Sequence, residues 1–227
     1  MPLTDYIVAP QNTRVGIWRI EEAEEYFLRK LPLKERELSE LATLSGRRKL
    51  EWLAVRYLIQ VMTGWMYSLV KDSFGKPFLS QSDYHISVSH SGDYTTAIIA
   101  PCLVGIDIQY ITPKLERVAA RVMNVEKLKK LSKSNPLEHL HVYWGAKEAL
   151  YKAYGKGELD FRNHIPIDAF DYENTEPASL MGSIKGTVVK GDFHKDFDIY
   201  FKKIENYILV YAIEKMEINQ KSVVHNR

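Results

Sequence analysis

Val104-Gly105-Ile106-Asp107-Ile108-Gln109 and Tyr143-Trp144-Gly145-Ala146-Lys147-Glu148-Ala149-Leu150-Tyr151-Lys152 are the two stretches from which the fold of this chain is best read. The first alternates with the period of a β-strand, Ile106 and Ile108 on one face, Asp107 and Gln109 on the other. The second lies inside a long helical segment, 136–154, where Trp144, Glu148 and Lys152 stack one above another at i,i+4 spacing. Strand and helix together predict an α+β protein. Read alone, each stretch has a plain explanation. An acid between isoleucines belongs on a strand face that meets solvent, a metal or a partner, and an exposed face is the default. Glu148 and Lys152 would then be a surface pair contributing a few tenths of a kcal/mol.

Outward from these stretches, each half of the chain runs strand, helices, then hairpin. In the first half, 15–20 reads as a strand, and 21–31, 34–44 and 47–62 as helices. Gly75-Lys76-Pro77 marks a loop, and 84–100 a hairpin turning at Ser91-Gly92-Asp93. In the second half, 104–108 is the strand, 113–131 and 136–154 are helical, and 165–172, 182–190 and 196–214 are β-rich. The polar stretch from Asn219 reads as a frayed tail. Val15-Gly16-Ile17 echoes Val104-Gly105-Ile106, an echo any two α+β halves could share, so it leaves duplication open.

Composition narrows the function. A chain of 227 residues, 45% hydrophobic and 26% charged, is neither a disordered chain nor a disulfide scaffold. The formal net charge of +2 predicts no bulk attraction to nucleic acid or to an anionic membrane. One cysteine, Cys102, cannot form an internal disulfide and suits a reducing compartment. Met1-Pro2-Leu3-Thr4-Asp5 has no signal-peptide character, and 97–106, the longest apolar stretch, is too short to span a bilayer. A soluble, cytoplasmic protein with no nucleic-acid or membrane partner is expected. Walker A, Gly-x-Gly-x-x-Gly, His-Glu-x-x-His and Gly-x-Ser-x-Gly patterns are all missing. Seven histidines show no zinc spacing, and His139 and His141, two apart on a helix, are expected at the surface.

Two further segments complete the pattern. Ser87-Val88-Ser89-His90-Ser91-Gly92 gathers hydroxyls, an imidazole and a glycine at a strand end, where side-chain and backbone donors can meet a phosphate. Arg47, Arg48, Lys49 and Arg56 fall along one predicted helix, and Lys76 sits in its own loop. In this order Gly75-Lys76-Pro77, Ser89-His90-Ser91-Gly92, Gly105-Ile106-Asp107, the Trp144–Lys152 segment and Gly155-Lys156-Gly157 resemble the 4'-phosphopantetheinyl transferases, specifically the long, two-lobed type that activates surfactin synthetase and other peptide synthetases. The match runs from about Arg47 to Gly157, and the β-rich remainder fits a second lobe.

The resemblance implies a pseudo-twofold arrangement of two similar α+β lobes, 1–102 and 103–218, with the active site between them and a tail at 219–227. It implies a monomer that moves the phosphopantetheine arm of coenzyme A to a serine of an apo acyl or peptidyl carrier protein, releasing 3',5'-ADP. A relative that binds coenzyme A or the carrier without turnover is the alternative. By resemblance, Asp107 and Glu148 are Mg²⁺ ligands and Lys152 holds the pyrophosphate, the three forming the catalytic set. Glu148 is also a base for the carrier serine. Arg47, Lys76, Pro77, Ser89, His90 and Lys152 match coenzyme A-binding positions. The chain departs from the family in three places. Gln109 stands where a Glu is common and could offer Mg²⁺ its carboxamide oxygen; Gly145 replaces a small hydroxyl residue; Gly157-Glu158-Leu159 is one residue longer than usual.

Overall fold

The computed structural model describes residues 3–64, 67–123, 130–172 and 182–216. In chain order the elements are β1 (Leu3–Ala9), β2 (Thr13–Arg19), α1 (Glu24–Lys30), α2 (Glu35–Ala42), α3 (Gly46–Thr63), β3 (Leu69–Lys71), β4 (Pro77–Leu79), β5 (His85–Ser91) and β6 (Tyr94–Ala100). There follow β7 (Val104–Tyr110), α4 (Glu116–Val122), α5 (Pro136–Tyr154), β8 (Gly182–Lys190), β9 (Phe193–Ile204) and β10 (Tyr207–Glu214). The α+β class read from the sequence holds. The helix expected over 113–131 begins as a 3-10 turn and α4, and its residues 124–129 lie outside those described. Only a bridge from Ile167 to Gly186 forms in 165–172, and 196–214 divides into β9 and β10 at a turn. The predicted tail from Asn219 also lies outside the described residues.

Two four-stranded antiparallel sheets carry the molecule. Their strand orders are β1-β2-β6-β5 and β7-β10-β9-β8, and β3 and β4 form a separate ribbon. Three apolar clusters alternate with the sheets. One lies between the first sheet and α1 and α3, with Phe27, Leu53, Leu58 and Ile86. A second lies between the two sheets, with Val15, Ile98, Ile106 and Tyr211. The third lies between the second sheet and α5, with Ala146, Leu150, Phe197 and Val210. Strands sandwiched in this way bury both faces, which is why β6 is buried throughout and β10 nearly so. No helix among the described residues is long and apolar enough to cross a membrane.

The edge strands β5 and β7 meet without a backbone ladder. The N–H groups of Ile106, Ile108 and Tyr110 donate instead to the hydroxyls of Ser87, Ser89 and Ser91, at 3.2, 3.1 and 3.1 Å. Strand alternation makes this possible, because every second side chain of β5 points towards β7. The serines read from the sequence as phosphate donors therefore join one sheet to the other.

Candidate active site

Asp107 comes from the face of β7 turned towards α5. Ile106 and Ile108 occupy the cluster between the sheets, so the alternate residues Gly105, Asp107 and Gln109 face the helix. A Cβ on Gly105 would stand 1.7 Å from the carbonyl oxygen of Ala149, so only glycine lets strand and helix approach this closely. The approach brings Asp107 against Lys152, whose ammonium lies 2.8 Å from Asp107 Oδ1. Lys152 also donates to Ser89 Oγ at 2.9 Å and to the Ile106 carbonyl at 3.0 Å, and the Ser89 hydroxyl donates to Asp107 Oδ1 at 3.1 Å. Asp107 is 8% exposed. The exposed strand face is thus corrected: the helix that was read separately covers it.

Glu148 makes no hydrogen bond or ion pair among the described residues. Burial raises its pKa above the usual carboxylate range, the charge of Asp107 raises it further, and Lys152 opposes both. Two neighbouring carboxylates, one without a hydrogen bond or ion pair among the described residues, are a site that a cation would stabilise. Among the described residues no cluster of three or more His, Cys, Asp or Glu comes together. Mg²⁺ does not need one, since it is commonly held by one or two carboxylates plus substrate phosphates and waters. The residues present fit that mode of binding.

A cleft of about 490 Å³ opens beside this network, lined among others by Arg48, Glu51, Lys76, Pro77, His90 and Lys152. Asp107 and Glu148 do not line it; Lys152, bonded to Asp107, connects the two. Lys76 donates to the Ala153 carbonyl at 2.6 Å, at the C-terminal end of α5, and burial lowers its pKa. His90 Nδ1 lies 3.1 Å from Glu51 Oε2. Arg47 sits outside the lining, donating to the Gly92 carbonyl at the hairpin turn and lying 3.5 Å from Asp93 and 3.5 Å from Glu51. Ser89 has its hydroxyl engaged by Asp107, Lys152 and β7, and Gln109 lies between Asp107 and His141.

Sequence reasoning missed Glu51 and His141, and named Arg48 only among the basic positions of α3. Glu51 was detectable as the i+4 partner of Arg47. His139 and His141, expected at the surface, are 2% and 1% exposed, and burial lowers the pKa of His141. The signal was present in α5 itself: most of its positions are buried, so two residues pointing to different sides both meet protein.

A strand-borne aspartate and a helix-borne Glu–Lys pair thus stand beside a cleft with several cations in its walls. Residues 103–209 match the 4'-phosphopantetheinyl transferase superfamily, so the resemblance drawn from the motifs is borne out. The chain is similar to the 4'-phosphopantetheinyl transferase gsp of Aneurinibacillus migulanus, with 28% identity over 166 residues, 71% of this chain and 64% of that protein. It is also similar to the 4'-phosphopantetheinyl transferase psf-1 of Bacillus pumilus, with 36% identity over 88 residues, 37% of each. The chain thus spans less than two thirds of the length of either relative.

Proposed function

We propose that this chain transfers the 4'-phosphopantetheine arm of coenzyme A to a serine of an apo acyl or peptidyl carrier protein, giving the holo carrier and 3',5'-ADP. The observation that carries the reading is the bonded set Asp107–Lys152–Ser89 beside Glu148, which makes no hydrogen bond or ion pair among the described residues, next to a cleft with Lys76, Arg48 and His90 in its walls. The serine oxygen bonds to the phosphorus that carries the pantetheine arm, the P–O–P anhydride bond breaks, and 3',5'-ADP leaves with the bridging oxygen, so negative charge must be neutralised on both sides of the reacting phosphorus. Asp107 and Glu148 would hold Mg²⁺, and the ion would supply neutralisation of phosphate charge. Lys152 donates to the pyrophosphate as charge builds there. Glu148 takes the proton of the incoming serine hydroxyl, directly or through a water. Lys76, Pro77 and His90 line the cleft that holds the phosphates of coenzyme A; Arg47, bonded from α3 to the hairpin turn, and Ser89, on β5, support them. The nucleophile arrives on the carrier, so no enzyme Ser–His pair is needed.

The reading takes 1–102 and 103–218 as two lobes of an active monomer, working in the cytoplasm, where the buried free thiol of Cys102 stays reduced. Incubation with coenzyme A, Mg²⁺ and a panel of apo carrier proteins, followed by mass measurement of each carrier, tests it. Gain of one phosphopantetheine by at least one carrier is expected. Coenzyme A binding with every carrier left unmodified would sink the transferase reading in favour of a non-catalytic binder.

A further inference from the structure

Gln109 lies between a carboxylate and a buried imidazole, and its three contacts decide which way its amide faces. One end of the amide is 3.2 Å from Asp107 Oδ2 and 3.2 Å from the His141 carbonyl oxygen. Both are acceptors, so this end must be the NH₂ group, with one hydrogen for each. The amide oxygen is then the end 2.9 Å from His141 Nδ1, and Nδ1 must carry the proton. Nε2 of the neutral ring is left with a lone pair, and the Thr112 N–H donates to it at 3.0 Å. The opposite tautomer would let Nε2 donate to the Thr112 carbonyl at 3.2 Å. That arrangement turns the amide oxygen onto the Asp107 carboxylate and a carbonyl together, three acceptors with no hydrogen between them.

The helix is built for this arrangement. A Cβ at Gly145 would stand 3.0 Å from Gln109 Nε2 and 2.6 Å from Val210 Cγ2, so the missing side chain makes room for the amide. Gln109 and Gly145, two of the places where the chain departs from the family pattern, are therefore in contact with each other.

We infer that His141 holds Gln109 with its amide nitrogen on Asp107, so that Gln109 positions the carboxylate and is not itself a metal ligand. Asp107 is then held at both oxygens, by Lys152 and Ser89 at Oδ1 and by Gln109 at Oδ2. Coordination of a cation by protein falls to Asp107 and Glu148 alone. The inference relies on the transferase reading only for the identity of the cation.

The tautomer of His141 reports the direction of Gln109, because an amide oxygen turned onto a cation presents its NH₂ to Nδ1 and forces the proton to Nε2. Long-range ¹H–¹⁵N correlation on isotope-labelled wild-type protein, with His141 assigned through its own backbone, reads this directly. It is recorded without metal and again with Mg²⁺ and coenzyme A. A protonated Nδ1 and bare Nε2 are expected in both states; a protonated Nε2 in either one overturns the inference. A second arm measures Mn²⁺ affinity by electron paramagnetic resonance without coenzyme A. His141→Leu should weaken it about tenfold or more, while His141→Asn, which replaces Nδ1–H with an amide N–H, should stay within about twofold. Equal losses in both variants would overturn the positioning role. Failure of the carrier assay beside an Nδ1–H imidazole would remove the transferase reading and leave this one standing.

Discussion

On the proposed reading, Glu148 is the residue at which activity and stability oppose each other. Its pKa is raised in the fold, so the folded protein binds this proton more tightly than the unfolded chain does. The carboxyl therefore favours folding below its unfolded pKa, near the ordinary 4.5, and the advantage is lost as pH rises through the higher folded value. In metal-free protein, Glu148→Gln should raise the melting temperature at pH 8, with the gain disappearing towards pH 4. Thermal melts in a chelator check this, and a variant that melts lower at pH 8 contradicts it. The same variant should lose about a hundredfold or more in turnover, the scale of an acid–base contribution. Turnover near the wild-type rate would leave Glu148 as a mere neighbour of Lys152. At the cleft, Lys76→Ala and His90→Ala should each raise the Michaelis constant for coenzyme A by about ten- to a hundredfold, the worth of a charge-assisted bond. Titration with dephospho-coenzyme A shows whether these residues meet the missing phosphate, since their variants should discriminate against it less than wild type does.

Among the elements, the junction of β5 and β7 divides the serines of one motif by what they bond. Ser87 and Ser89 each accept a β7 N–H, but only Ser89 also bonds Asp107 and Lys152. Ser87→Ala leaves the buried Ile106 N–H without its acceptor and should cost about 1–3 kcal/mol of stability with turnover retained. Ser89→Ala should cost a similar amount of stability and lower turnover as well. Urea denaturation beside steady-state kinetics separates the two; equal effects on turnover would detach Ser89 from the site.

For the whole molecule, the order helix, sheet, sheet, helix explains how one chain supplies both walls of the cleft. Arg48, Glu51 and His90 belong to α3 and β5, whereas Lys152 belongs to α5 on the far side of the second sheet. On the proposed reading one chain completes the site, so light scattering should return the mass of one chain at concentrations where the protein is active. An active species seen only as a larger oligomer would show that the cleft is finished by a neighbour.

Local chemistry made much of this readable in advance. Alternation in 104–109 named the strand, and 136–154 read as a helix with Trp144, Glu148 and Lys152 at i,i+4 spacing, because backbone period is a short-range property. Motif order along the chain pointed to Asp107, Glu148 and Lys152 before any fold was known. Which partner each group meets was not readable, because contacts such as Asp107–Lys152, forty-five positions apart, arise only when sheet and helix pack. The serines of β5 looked like phosphate donors until an unpaired strand edge was placed beside them. His141 looked like a surface residue until its helix was buried nearly all round. Sequence by itself determined the elements and the chemical types available to the site. Tertiary structure alone decided that the face of β7 carrying Asp107 is covered, that Gly105 and Gly145 are close approaches, and that Gln109 turns its nitrogen to the carboxylate. Those outcomes depend on distances between elements, and the spacing of residues along a chain does not encode them locally.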